Sequence, residues 1–305
     1  MLNPPGQYAD DRNLVARQRL WGCRVPVFDF AGWVLDLAGL APGMAVLDAG
    51  CGNGVYLRAV RERRGRAVGC DLSLGMLRGV PGVAGVALVN ADVTALPVRD
   101  GAFDVVLAGH LLDLVPDRGH AVRELRRVLA PGGTCVVVTT GAQHLRSLRG
   151  LVERAVRVRT PGWTMQPPTG SAFTRENAAA QLGAAFREVT CVRAAEAGPV
   201  IIKDASVAAD YVTSLADHYQ PQVARPWPDV AEDVREQVQG AIDAEGEFRT
   251  AGDVAAFVGR GARSSRGRPA QSGSGGARAP AGRTRAQRPR CPAPWRPGRL
   301  SCPAC

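Results

Sequence analysis

The sequence predicts an α/β fold in which seven strands form a mostly parallel sheet with helices on both faces. Three observations carry that expectation. Short apolar runs recur along residues 41–145, and stretches of helical periodicity with short loops separate them, the pattern of strands joined by crossover helices. The run Ala102 to Ala108 shows no alternation, as a strand covered on both faces requires. The segment Val46-Leu47-Asp48-Ala49-Gly50-Cys51-Gly52-Asn53-Gly54 reads as a strand ending in an acid, then a turn whose glycines let a ligand lie against the backbone.

The elements follow in order. An arginine-rich arm, residues 1–40, holds a helical stretch from Asp10 to Trp21 with Leu14, Leu20 and Trp21 as its larger apolar side chains. Strand one spans the residues before Gly50. Ala67 to Asp71 forms a second strand, Val86 to Val89 a third, Ala102 to Ala108 a fourth and Cys135 to Thr139 a fifth. Asp117 caps a helix through Leu129, whose Ala121, Val122, Leu125, Val128 and Leu129 repeat at helical spacing, and Ala130-Pro131-Gly132-Gly133 ends it. A helix is expected near Gln143 to Val158, then a Pro/Gly loop over Pro161 to Gly170 and a helix capped by Thr174. Strand six covers Thr190 to Ala194 with an extension at Pro199 to Ile202, and strand seven covers Glu247 to Val258. Two helices between them, Asp204 to Tyr219 and Asp229 to Ala244, make residues 203–245 an insertion beside the ligand mouth, the natural lid. Its Tyr211, His218, Tyr219 and Trp227 suit an aromatic or apolar acceptor, or else simply form core.

Composition divides the chain at residue 260. The 45 residues from Gly261 hold ten arginines, no lysine and no acid, with Trp295 and Leu300 their only large apolar side chains. They cannot bury enough to fold, so a disordered tail is expected over 261–305. That tail carries the whole formal charge of +10, and residues 1–260 balance at zero. The basic balance therefore says nothing about the substrate of the folded part. A shifted reading frame in GC-rich DNA accounts best for the tail's mixture. A genuine nucleic-acid-binding tail comes next, and a zinc site comes last because Cys291, Cys302 and Cys305 supply three ligands where four are wanted. A chain ending at Arg260 is expected to keep its fold, its cofactor affinity and its melting temperature, which thermal denaturation beside the full chain would check. The remaining cysteines are scattered as buried thiols, and no apolar run is of membrane-spanning length. A cytoplasmic protein without membrane contact is expected, of open oligomeric state.

The glycine turn matches a dinucleotide fingerprint poorly, since Val55 stands where a third glycine would allow close helix packing. Asp71, 21 residues beyond Gly50, can accept both hydroxyls of a ribose. Asn90-Ala91-Asp92-Val93 closes the third strand with another acid. These four segments in order resemble the class I methyltransferases dependent on S-adenosylmethionine (SAM), with their Rossmann-like sheet. The resemblance implies a site in which Asp48 faces the ammonium, Gly50, Cys51, Gly52, Asn53 and Gly54 pass the methionyl part, and Asp71 holds the ribose. Asp92 would accept from the adenine amino group, with Val93 at its backbone, Leu72 and Met76 flanking the ring, and Ala108 at the end of strand four. In relatives the arm often closes over SAM, which would bring Tyr8 over the methionyl end and Arg17 to its carboxylate. The loop at Leu112 and Asp113 lacks the aromatic residue and histidine of many relatives.

Methyl transfer asks for alignment and, for an acidic acceptor, a base. His110 and His218 are the weak candidates, with His144 beside them. A small-molecule acceptor is expected. The alternatives are rRNA or tRNA and a non-catalytic SAM-binding role. Asn3-Pro4-Pro5-Gly6 resembles a motif of amino-methylating enzymes but stands far from strand four, and no metal is called for.

Overall fold

The computed structural model describes residues 6–80, 82, 84–166 and 173–262. The Asn3-Pro4-Pro5 segment, residues 167–170 of the loop expected at 161–170, and residues 263–305 with the three tail cysteines lie outside the described residues.

Seven strands form one sheet: β1 (Ala45–Ala49), β2 (Arg66–Asp71), β3 (Ala87–Asn90), β4 (Phe103–Gly109), β5 (Leu129–Thr140), β6 (Phe186–Arg193) and, late in the chain, β9 (Val254–Ala262). Their order is β3-β2-β1-β4-β5-β9-β6, with β9 antiparallel to both neighbours and every other pairing parallel. The order reverses between β1 and β4, so a crevice opens at their C-terminal ends, where open sheets of this kind bind ligands. Asp48, the glycine turn, Asp71, Asp92 and His110 all leave the sheet at or just beyond that edge.

Helices cover both faces. Before the sheet come α1 (Arg12–Gly22) and α2 (Phe30–Ala38), then α3 (Val55–Glu62), α4 (Leu74–Gly79), α5 (Arg118–Val128), α6 (Arg146–Arg157) and α7 (Ala178–Leu182) between strands. Asp117 caps α5 by accepting from His120 N, and Ala121, Val122, Leu125 and Val128 are its buried positions; Leu129, expected in the helix, instead opens β5, which runs on through the Ala130-Pro131-Gly132-Gly133 segment. The cap expected of Thr174 is corrected: α7 begins four residues later behind Asn177, whose Oδ1 accepts from Thr174 N.

Two further strand expectations are corrected. Pro199 to Ile202 does not extend strand six. It is a separate strand, β7 (Val200–Ile202), paired antiparallel with β8 (Phe248–Thr250). The turn Ala195–Ala197 and the left-handed Gly198 break the chain between them. The strand expected from Glu247 to Val258 is likewise split at residues 251–253, because Ala251 and Asp253 turn their carbonyls to Leu145 N and Gly141 N. Strand β9 then continues to Ala262, two residues past the compositional boundary.

The inserted helices are α8 (Ala205–Thr213), α9 (Ala216–Tyr219) and α10 (Trp227–Glu245). They build a second apolar core with α6, β7 and Leu20 of α1, centred on Trp227, which is buried and donates its indole N–H to Val212 O at 2.7 Å. Tyr219 stacks on Trp227 at 5.6 Å and donates its hydroxyl to Gln166 O. Two of the four lid aromatics are thus packing residues. Among the described residues no helix is long and apolar enough to cross a membrane.

Candidate cofactor and acceptor site

Gly50, Gly52 and Gly54 all adopt positive φ, which side-chain-bearing residues avoid, so the turn depends on glycine for its path. Gly50 N and Cys51 N both donate to Cys70 O, hooking the turn onto the end of β2. Asp71 continues the hook: Oδ2 accepts from Gly52 N at 2.9 Å and Oδ1 from Ser73 N at 2.8 Å. Burial pushes its carboxyl above the usual range, against the pull of those backbone donors. Each oxygen keeps one lone pair for a ligand hydroxyl.

Asp48 is fully buried, and neither oxygen finds a hydrogen-bond partner. Burial first, and the neighbouring Asp71 second, push its carboxyl up to about 8. A buried acid without a donor costs stability unless something cationic meets it. This observation fits the SAM ammonium: the acid is held by β1 beside a glycine turn, and among the described residues neither of its oxygens has a hydrogen-bond partner.

The other expected residues take varied places. Asp92 is exposed, and its Oδ1 accepts from Thr94 N and Thr94 Oγ1. Leu72 is 66% exposed at the end of β2, as a residue waiting to cover a ring would be, whereas Met76 is 2% exposed and packed away. Val93, Cys51 and Ala108 are buried in the walls, and burial pushes the Cys51 thiol up. Asn53 and Gln18 of α1 exchange two amide hydrogen bonds of 3.0 Å, and Leu14 stands where a Cβ on Gly52 would fall. The arm therefore lies against the turn. Arg17 donates to Tyr8 Oη at 2.9 Å and to Ser214 O and Oγ, joining arm to insertion, so its guanidinium is largely engaged within the protein.

Above the β4 end, His110 has a φ of 54° and stacks on Trp21 at 5.3 Å. Burial holds it down to about 4, with Arg24 adding to the shift. His144 lies near Arg24, His110 and Arg149, is held down to about 3 mainly by burial, and has a buried Nδ1 with no partner. His218 is buried against Tyr219, far below its usual range at about 4. All three imidazoles are neutral at pH 7 and weakly basic. His144 lies within electrostatic reach of His110, while His218 packs on Tyr219 in the inserted core.

Sequence reasoning missed Arg24. It follows α1 directly, is 3% exposed, and lies over Phe30 at 4.9 Å. Burial lowers its pKa to about 10, and no acid contributes to the shift. A desolvated cation–π contact is worth about 2 kcal/mol, against a burial cost of several kcal/mol for an unpaired charge. No periodicity or motif marks it; only the contacts of β7 with residues 23–25 bury it.

A glycine turn, an acid at the end of β2 and an unpartnered acid in β1 meet at the switch point of a parallel sheet, the place where Rossmann-like folds bind their cofactors. Residues 47–137 match the methyltransferase-domain family. The chain is similar to the malonyl-[acyl-carrier protein] O-methyltransferase of Pseudescherichia vulneris, 37% identical over 105 residues, 34% of this chain and 42% of that one. It is also similar to the demethylmenaquinone methyltransferase of Staphylococcus aureus, 37% identical over 119 residues, 37% of this chain and 49% of the other. Less than half the length of these curated relatives is covered. Among solved structures, the phosphoethanolamine N-methyltransferase 2 of Haemonchus contortus in complex with SAM shares the fold at a TM-score of 0.53, with 16% identity over 84% of this chain and 58% of that one.

Proposed function

We propose that the protein transfers the methyl group of SAM to a small organic acceptor. The reading is carried by the buried, unpartnered Asp48 standing within one crevice with the glycine turn, Asp71 and Asp92. When bound, SAM supplies an electrophilic methyl on a sulfonium, which an acceptor atom takes in line with the departing sulfur. Asp48 would face the ammonium, Asp71 the ribose diol and Asp92 the adenine amino group, with Leu72 covering the ring and Tyr8 the methionyl end. The arm excludes water by laying Leu14 on Gly52. His110 and Trp21 form the wall next to the β4 end, where an acceptor would approach. The names of the two curated relatives, acting on a malonyl group and on a demethylmenaquinone, favour a metabolite over a nucleic acid, as does the zero net charge of residues 1–260.

Asp71→Ala should weaken SAM binding by about 1.5 to 3 kcal/mol, the worth of hydrogen bonds to a charged group. Calorimetry would show this, and an unchanged affinity would remove Asp71 from the site. The activity is tested by incubating the protein with cell extract and SAM and searching by mass spectrometry for a metabolite that gains one methyl. Failure of the protein to bind SAM would overturn the reading.

A further inference from the structure

Tyr56, in the first turn of α3, carries a phenol that the fold seats across the switch point. A Cβ on Gly109 would fall 2.6 Å from its Cε2 and 3.2 Å from its Oη, so the end of β4 has to lack a side chain for the ring to lie there. The side chain starts from the helix that follows β1 and its ring ends on β4, spanning the crevice between the two strands. Among the described residues its hydroxyl has no hydrogen-bond partner, and the oxygen is not sealed from solvent. Packing alone does not account for that oxygen, because a phenylalanine would fill the same seat.

Asp48 lies on the same face of the sheet. Side chains alternate along a strand, and Val46, two residues before Asp48, belongs to the core beneath α2 and α3. On β4 the same core takes Val105 and Leu107, and Gly109 stands two residues further on. Asp48 pairs with Leu107, so Gly109 lies one pleat, about 7 Å, beyond it along β4. Tyr56 packs against that core as well. Asp48 and the Tyr56 hydroxyl thus reach the crevice from one side, the acid from the strand and the phenol from the helix.

The amino-acid end of SAM brings two charges to this place. Its carboxylate is bonded to the carbon that bears the ammonium, so an ammonium at Asp48 carries the carboxylate along beside it. A carboxylate held near an acid needs a donor of its own. Arg17, expected to supply one, commits its guanidinium to Tyr8 Oη and to Ser214 O and Oγ. Burial and then the charge of Asp48 push the Tyr56 phenol up, which keeps its hydrogen in place for donation.

We infer that the Tyr56 hydroxyl donates a hydrogen bond to the carboxylate of SAM, so that Tyr56, in place of Arg17, fixes the methionyl end. The inference rests on the SAM-binding reading above. With Asp48 on the ammonium and Tyr56 on the carboxylate, the amino-acid end is held at two points, and the sulfonium methyl is aimed from there.

The test uses the full chain and calorimetry with three probes: S-adenosylhomocysteine, its decarboxylated form, which keeps the amine, and 5′-methylthioadenosine, which lacks the amino-acid end. Tyr56→Phe should bind S-adenosylhomocysteine about tenfold to a hundredfold more weakly than the wild type, as the loss of a hydrogen bond to a charged group predicts. The decarboxylated probe and 5′-methylthioadenosine should each bind the two proteins alike. Without ligand the variant should melt at the wild-type temperature, since the hydroxyl has no protein partner to lose. Equal affinities of the two proteins for S-adenosylhomocysteine would overturn the inference. So would a loss of the same size with the decarboxylated probe, which would put the hydroxyl on another part of the ligand. A lower melting temperature with equal losses for all three probes would assign the hydroxyl to the fold and overturn it too. Failure of the wild type to bind S-adenosylhomocysteine would instead overturn the SAM-binding reading itself.

Discussion

Trp227→Ala is expected to destabilise the protein by about 3 to 5 kcal/mol, the usual cost of deleting a fully buried large aromatic side chain. Trp227 is 1% exposed at the first turn of α10 and packs on Tyr219, and its loss also strips Val212 O of its indole donor. The affected core joins α6, α8, α9, α10, β7 and Leu20 of α1 in one cluster, so the damage should not stay within the insertion. Urea denaturation followed by intrinsic fluorescence and by circular dichroism should show one shifted transition. A loss below about 1 kcal/mol, or a separate early transition of the insertion alone, would show that the two cores do not fold together.

Asp48→Asn should act in opposite directions on stability and on ligand binding. The wild-type carboxyl is raised to about 8 by burial and by Asp71, above its ordinary 3.8 in an unfolded chain. Such a group contributes fully below the unfolded value and loses that contribution as pH rises through about 8, because the unfolded chain ionises freely and the folded one resists. Between pH 4 and pH 8 the wild type should therefore lose stability from this group, and Asp48→Asn should not. At pH 8 the variant should be the more stable. With SAM the order inverts: removing the acid opposite a buried ammonium costs about 2 to 5 kcal/mol, or roughly thirtyfold to several thousandfold in affinity. Binding by the wild type at pH 7 should also release a proton as Asp48 ionises, seen by calorimetry in two buffers of different ionisation enthalpy. Equal affinities for the two proteins, or no proton release, would take Asp48 away from the ammonium.

Local chemistry made the glycine turn and the strand-end acids legible. Gly50, Gly52 and Gly54 can be placed because positive φ demands glycine, and Asp71 and Asp92 because strand ends of a parallel sheet fall at one edge. Leu72 follows from the same register, in which Asp71 pairs with Asn90. The surroundings of Arg24 and the histidines were not legible. His110, His144, Arg24 and Arg149 come from four separate segments, and none has a partner at fixed spacing.

The sequence by itself determined the order of the first five strands, the glycine turn, the two strand-end acids and the shift to an arginine-rich composition, since each depends on neighbours within a few residues or on composition. It also placed the residues 203–245 insertion. Only the tertiary structure decided that β7 and β8 leave the main sheet, that Trp227 and Tyr219 are packing residues while Leu72 is open, and that α1 lies on the glycine turn through Gln18 and Asn53. It alone decided that Arg24 is buried without an acid. Burial and electrostatic isolation are set by segments distant along the chain, here residues 198–200 and 252 closing on residue 24, and no local pattern records which distant backbone will cover a charge.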